Sequence, residues 1–480
     1  MGKLLNYLKE RMGRPSKEEI LEGDIIPLLF KLGWPLMIAN LLQTAYNLVD
    51  TIWLGRLPSP ENTLSVGAMS LAWPFVFLLL SIELGLGIAA VALISQHTGA
   101  KRYKEAEEDA GQLYFILIVL SIILGAVGYL TAPFFLNFLA EEGPVAAYAI
   151  DYLQVIFLGF PLLLTFAAFS FSLRAWGDTI TPMAVMSVAV ILNIILDPFL
   201  IFGWGPFPAM GIRGAAIATV TSRGIGTVIS LYLLFSGRVG LKLKLDYLKP
   251  NLDKIKKFFK IGLPATGARV FDAVGFVVLT GLLARLPQQK EVLAAYGIGS
   301  RIINITFVIV FGLGIALSTM VGQALGAEKK DRADMIAKKG MILMAGFMAL
   351  ISLFLVLARY ELMTFFIPGD PVVIQMGAMF LAILAIGGPF FGVFEAVSGT
   401  LNGAGHTFKQ MLLSLTRLWV IRIPFVAVFA FLLGYMSTGV WIAIALSNVI
   451  AGSAAYMVYK SGRWKEKVID KGRFPAGETI

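Results

Sequence analysis

The 480-residue chain contains no cysteine, only two histidines, His97 and His406, and few charges: Asp, Glu, Lys and Arg together make up 15% of it. The missing cysteine excludes a disulfide framework and any thiolate metal or redox centre. Two isolated histidines leave no basis for a His-rich metal site. An ordinary soluble domain is about 25% charged and about 45–50% apolar. Here 58% of the residues are hydrophobic, 35 are Phe, and the mean hydropathy is +0.80. A soluble core of this size cannot hide that surplus. A soluble enzyme, a disordered chain and a fibre are therefore excluded, and a polytopic membrane protein remains. The apolar runs are long and continuous rather than alternating over short strands, which excludes a β-barrel. The formal charge of +10 sits in the loops and is no nucleic-acid footprint.

Twelve apolar segments follow one another at 25–54, 65–92, 109–137, 144–172, 179–201, 211–236, 257–286, 293–324, 338–366, 371–402, 408–434 and 438–460. Each is read as a spanning helix, because in lipid every backbone N–H and C=O must be paired within its own segment. Lys and Arg then set the orientation. One set of ends carries Lys3, Lys9, Arg11, Arg14 and Lys17, then Lys101, Arg102, Lys104 and Arg174. The same set carries the runs from Arg238 to Lys260 and Lys329 to Lys339, Lys409, and the tail from Lys460 to Arg473. The opposite ends carry only Arg56, Arg213, Arg285, Lys290 and Arg359. The positive-inside rule places both ends of the chain in the cytoplasm of a multi-pass cell-membrane protein. The first apolar segment is too long for a signal-peptide core and lacks a small-residue cleavage site.

The chain repeats itself. KLGWP (Lys31 to Pro35) returns as KIGLP (Lys260 to Pro264), 229 residues later. SQHTGA (Ser95 to Ala100) returns as GQALGA (Gly322 to Ala327), GDT (Gly177 to Thr179) as GHT (Gly405 to Thr407), and GAAIA from Gly214 as GVWIA from Gly439, at offsets of 227, 228 and 225. Each half holds an even number of helices, so both have the same orientation. The expected fold is all-α, with twelve transmembrane helices in two six-helix lobes related by pseudo-twofold symmetry along the membrane normal. The expected divisions are a cytoplasmic segment 1–24, an N-lobe 25–236, a cytoplasmic linker 237–256, a C-lobe 257–460 and a tail 461–480. Two such lobes across a cleft suit alternating access; channels and scaffolds also use duplicated bundles.

The acids within the segments do not repeat. The first half has Asp50, Glu83 and Asp197; the second has Asp272 and Glu395. Shifted by the repeat, Asp50 and Asp197 fall on apolar residues and Asp272 falls on Gln43. Ionisable residues in the bilayer cost at least about 2.5–3.5 kcal/mol each and mark functional sites. Asp50 and Asp197 lie near the outer ends of segments one and five, and Thr219 about eight residues, ~12 Å, below the outer end of segment six. Tyr46 and Asp50, and Asn193 and Asp197, are i, i+4 pairs on one helix face, with Asn47 at i, i+3 from Asp50. Such carboxylate, amide and hydroxyl oxygens suit Na⁺, or a carboxyl pair holding a proton, since two close carboxylates in a low dielectric cannot both ionise. Hydrogen bonding between helices is the plainer alternative. Pro35 and Pro198 are candidate bending points. In the second half, Arg269 lies three residues before Asp272, so a salt bridge competes with an ion-binding role there. Glu395 has no local partner. Arg223, Arg301, Arg417 and Arg422 are further charges within segments.

The stretch QTAYNLVDTIWLGRL (Gln43 to Leu57) resembles the first-helix signature of the multidrug and toxic compound extrusion (MATE) family. SQHTGA, LRAWGDTITP, NIILDPFLIFGWGPFPAMGIRGAAIAT, YGIGSRI and GQALGA are similar to other signatures of that family, and the resemblance runs from about 25 to 460. It implies twelve helices in two lobes and export of amphipathic, often cationic compounds in exchange for Na⁺ or H⁺. It implies a first-lobe cation site at Asp50, Asp197, Asn193, Thr219 and Tyr46, with Gln43 beside it; Asn47 is a further candidate from its spacing alone. Ser170 stands where some members have asparagine. Asp272 falls where another branch has a helix-seven acid for cation or substrate; Glu395, an acid within its segment, is the second candidate of that half for a cation or substrate. Glu83 has no family counterpart.

The expected function is a cation-coupled multidrug antiporter. It is not an enzyme, since the sequence has no HExxH, paired His or Ser–His arrangement. No cofactor is expected beyond the coupling ion, no metal beyond Na⁺ at Asp50 and Asp197, and no nucleic acid. The partners are small amphipathic compounds and the bilayer, and a monomer is expected. A flippase for lipid-linked oligosaccharides on the same scaffold is the rival, kept alive by the intramembrane arginines; a channel is a third reading.

Overall fold

The computed structural model describes residues 15–140 and 143–469. The basic residues at 3, 9, 11, 14, 471 and 473 that entered the orientation argument lie outside them. The described residues form helices and loops with no strand, and twelve helices are long and apolar enough to cross a membrane. In order, helices one to twelve are Ile25–Leu54, Glu61–Gly99, Tyr103–Ala140, Pro144–Trp176, Ile180–Phe202, Gly211–Phe235, Leu252–Leu283, Gln289–Gly326, Lys330–Leu357, Pro371–Ala404, Thr407–Leu432 and Met436–Lys460. Each sequence segment finds its helix, most with added polar turns at the ends.

Two segments differ in detail. The span read over 338–366 divides at Ala358, which leaves helical geometry with φ −99° and ψ 13°, and a separate helix runs from Arg359 to Phe366. The guanidinium of Arg359 turns back to donate to the carbonyl of Val356, which a continuous helix would use internally. Helix eleven contains π-helical turns at Thr416–Arg422 and Ala427–Leu432. Pro424 explains the first: its ring lacks a donor and crowds the carbonyl of Val420, and the wider turn relieves both.

Contacts among the described residues sort into two units. The first comprises Ile38–Ile94 and Arg102–Lys260; the second comprises Pro15–Met37, Ser95–Lys101 and the chain from Ile261 onward. In the first, helix four packs between helices three and six; in the second, its repeat equivalent, helix ten, packs against helices eight, nine and twelve. The start of helix one belongs to the second unit because Leu28, Leu29 and Leu32, all at most 1% exposed, join Val310, Leu313 and Leu317 in one apolar cluster. Just before it, the short helix Lys17–Glu22 is held by a Ser16–Glu19 capping box. Lys31 donates to Glu19 at 2.7 Å, and that bond holds the Glu19 carboxyl below its usual range.

The repeated sequence motifs have repeated mechanical tasks. Gly177 and Gly405 end helices four and ten at φ +93° and +81°, where a side chain would be strained. In each case the glycine's own amide and the next one close the same pair of bonds, onto Arg174 and Leu173 in one and Asn402 and Leu401 in the other. Gly99 and Gly326 meet reciprocally within the second unit. A Cβ on Gly99 would stand 1.9 Å from the Gln323 carbonyl oxygen, and one on Gly326 would stand 1.9 Å from that of Gln96. The basic stretch after helix six is also pinned, within the first unit. Gln112 donates to the carbonyls of Tyr247 and Lys249 at 2.8 and 2.7 Å and accepts from the amide of Asn251 at 2.8 Å.

Candidate functional site

In the first unit, helices one, five and six bring five of the sequence-derived site residues into one buried group. Helix one carries Tyr46 and Asp50, helix five Asn193 and Asp197, and helix six Thr219; all are buried. Helices five and six approach closely because Gly214 has no side chain: a Cβ there would lie 2.3 Å from the Leu200 carbonyl oxygen. Asn193 donates from Nδ2 to Asp197 Oδ1 at 3.1 Å. Tyr46 donates from Oη to Thr219 Oγ1 at 2.5 Å. The carboxyl groups of Asp50 and Asp197 lie within hydrogen-bonding reach of each other. Two carboxyl groups can bond only when a proton, or a cation in its place, sits between them.

The unpaired atoms point the same way. Asp50 Oδ1, Asp197 Oδ2 and Asn193 Oδ1 are buried and accept no hydrogen bond from a donor side chain or amide. Buried polar atoms are paired as a rule, because an unpaired one costs about 1–3 kcal/mol. Here all three are acceptors, from hard oxygen groups. That donor set fits H⁺ or Na⁺, and these three residues would hold it.

The other candidates take up positions around this group. Gln43 donates from Nε2 to Asn47 Oδ1 at 3.3 Å, and its carbonyl accepts a hydrogen bond from Arg223. Ser170 is buried but turns back to the carbonyl of Phe166, one turn earlier on its own helix, at 3.1 Å, and makes no bond to the group. Glu83 is half-buried on helix two, within reach of the charges of Arg223 and Arg174. Arg223 stands beside the site. Its guanidinium donates to Gln43 and to the Met186 sulfur and lies 5.4 and 5.6 Å over the rings of Tyr46 and Phe166. Tyr152 of helix four, absent from the sequence-derived site, lies within the fields of both acids. A tyrosine hydroxyl in an apolar helix facing the acid-bearing helices was the signal available for it.

The second unit places Asp272 and Glu395 differently. The competing salt bridge of Asp272 to Arg269 does not form; the ion pair of Asp272 is with Arg417 of helix eleven, 4.0 Å away. Arg269 is instead the strongest charge acting on Glu395. Residues three apart on one helix can pair, but here the packing of helix eleven brings Arg417 to Asp272 instead. Trp419 fixes that approach by donating to the Phe271 carbonyl at 3.1 Å. Arg301, the remaining intramembrane arginine, is exposed. Among the described residues no group of three or more His, Cys, Asp or Glu could hold a metal ion.

Comparison with known proteins meets this geometry. The family model described as MatE matches residues 35–199 and again 264–428, two matches that begin at Pro35 and Pro264, the last residues of the KLGWP and KIGLP repeats. The chain is 30% identical over 456 residues, 94% of it and 96% of the relative, to a protein of Thermotoga maritima named as the probable multidrug resistance protein NorM. It is 27% identical over 455 residues, 94% of it and 96% of the relative, to a protein of Shewanella oneidensis named as an FAD transporter. The crystal structure of the Vibrio cholerae MATE transporter VcmN in the bent form matches with a TM-score of 0.83 at 25% identity, covering 93% of this chain and 97% of that one. The chain belongs to the MatE family: it is a multi-pass membrane transporter of twelve helices and not an enzyme.

Proposed function

We propose that this transporter exports amphipathic compounds in exchange for Na⁺ or H⁺, with the coupling ion held between Asp50 and Asp197. The observation that carries the reading is the buried carboxyl pair with three unpaired acceptor oxygens, Asp50 Oδ1, Asn193 Oδ1 and Asp197 Oδ2. Carboxylates kept in a membrane span without an ion pair are costly, and a visiting cation offsets that cost. Ion occupancy changes the local charge, and that change biases the first unit between two conformations. With the Lys- and Arg-rich ends in the cytoplasm, Asp50 and Asp197 lie in the outer half of the membrane. The ion enters there from outside as substrate leaves, and it is released after the protein reopens inward. The names of the Thermotoga and Shewanella relatives, a probable multidrug resistance protein and an FAD transporter, support transport of small molecules.

The test is transport of a fluorescent amphipathic dye into inverted membrane vesicles, driven separately by a Na⁺ and a pH gradient. Uphill dye movement with one gradient is expected, and no channel can perform it. The Asp50→Asn, Asp197→Asn double variant should lose the response to that gradient. Wild-type rates with undiminished gradient dependence in the double variant would refute the reading.

A further inference from the structure

The polar centre of the second unit has the opposite character. Arg422, on helix eleven, is 5% exposed, and its hydrogen bonds go to neutral acceptors: Nε donates to Ser447 Oγ at 2.9 Å and Nη2 to Asn448 Oδ1 at 2.8 Å, both on helix twelve. Arg417, 8% exposed, lies 4.6 and 5.5 Å over the rings of Phe394 and Phe391; only its Nη2 approaches an acid, Asp272, at 4.0 Å, and its Nε is buried without a partner. We propose that Arg422 and Arg417 form a subsite for an oxyanion, a carboxylate or phosphate group, on the exported compound. The proposal rests on the export reading above and names the substrate class.

Three arguments support it. The first is cost. Removing a guanidinium from water costs several kcal/mol, and protein structures offset this by pairing it with an acid. Arg422 is held by an amide and a hydroxyl, which orient the guanidinium without quenching its charge. Its fork retains unused donors, as does that of Arg417, and parallel N–H donors match the spacing of carboxylate and phosphate oxygens.

The second is register. In an α-helix, residues five apart point in different directions. Arg417 and Arg422 bracket the π-helical turn Thr416–Arg422, whose i to i+5 hydrogen bonding brings residues five apart nearly above one another. The proline-driven irregularity of helix eleven thus brings the two positions closer in register, with Arg417 beside helices seven and ten and Arg422 beside helix twelve.

The third is charge. Around this centre Arg269, Arg417 and Arg422 outnumber Asp272 and Glu395, and their mutual fields show that they form one electrostatic group. The excess is one positive charge, which a single oxyanion neutralises. Arg269, Asp272, Tyr296 and Glu395 are only half-buried, so the group is not sealed in the core.

The competing account makes Arg422 a bolt between helices eleven and twelve. A matched pair of dyes separates the two: a rhodamine with a free benzoate, and the ethyl ester of the same dye, which differs only in lacking the anion. Equilibrium binding of each is measured on the full-length protein in lipid nanodiscs. The readout is the ratio of acid to ester affinity, from which any general loss of fold divides out. The wild type should favour the acid. Arg422→Gln should lower the ratio about tenfold, the effect of losing one charge-assisted contact to a bound anion. Arg422→Lys should recover part of it as a point charge, and Arg417→Gln should lower it severalfold. If Arg422→Gln does not yield folded protein, Arg417→Gln and Arg422→Lys carry the test. A wild type without preference for the acid, or variants that keep the wild-type ratio, would overturn the proposal. The ratio needs no ion gradient, whereas failure of the export reading is seen with the ester alone in vesicles.

Discussion

The two units share their scaffold and differ in polarity. Gly177 and Gly405 cap equivalent helices with the same backbone bonds, and the repeat partners Gly99 and Gly326, both within the second unit, lie against the backbone carbonyls of Gln323 and Gln96. At the polar centres the correspondence ends. The first unit leaves three acceptor oxygens unpaired around two acids; the second leaves a guanidinium donor unpaired among three arginines. Unpaired acceptors call for a cation and unpaired donors for an anion. Duplication thus kept what any helical bundle needs, close approach and termination, and, in the proposed function, left free what must differ between an ion and its exchanged cargo.

The shared scaffold gives the largest predicted effect. Gly326→Val forces a branched side chain into the Gln96 backbone and should cost about 4 kcal/mol or more of stability. Its reciprocal, Gly99→Val, should do the same; yield of folded protein and thermal melting in detergent read both. The first polar centre comes next. Asp197→Asn alone should cut gradient-driven dye transport by about a hundredfold, while equilibrium binding of the acid dye stays within about twofold; parallel losses of both would break the division of tasks. Asp272→Asn removes the anion nearest Arg417 and should raise the acid-to-ester affinity ratio severalfold, whereas a fall would mean that the two residues serve only each other. Arg223→Gln removes a positive charge beside Tyr46 and should strengthen coupling-cation affinity severalfold, measured as the half-saturating Na⁺ or H⁺ for transport.

The smallest effect lies outside both centres. Glu19 is held below its usual range by Lys31, so its contribution is complete above the ordinary glutamate range and is lost as pH falls through the lowered value. Lys31→Met should remove that acid-side dependence, a change of a few tenths of a kcal/mol because the pair is partly exposed. It is read as melting temperature between neutral and acidic pH.

Much of this was legible in the sequence. Long apolar runs can only be helices in lipid, so the twelve spans follow from composition. The i, i+4 spacing of Tyr46 with Asp50 and of Asn193 with Asp197, together with their shared depth, is enough to place them in one group. Partner choice across helices was not legible. Asp272 has Arg269 three residues away, yet its ion pair is Arg417, on a helix brought near by tertiary packing. Ser170 was a candidate from the family resemblance alone, yet its short hydroxyl is satisfied by its own backbone. Arg417 and Arg422 were legible only as charges within a span; the π-helical turn that joins them follows no α-helical spacing rule.

The central claim is that the Asp50–Asp197 pair receives the coupling ion. Infrared difference spectra of the reconstituted protein, recorded on switching Na⁺ or pH, test it most directly because they see the carboxyl groups themselves. The account predicts a carboxyl band that vanishes in Asp50→Asn and in Asp197→Asn and survives in Asp272→Asn. A band that persists in both first-unit variants and disappears in Asp272→Asn would contradict it.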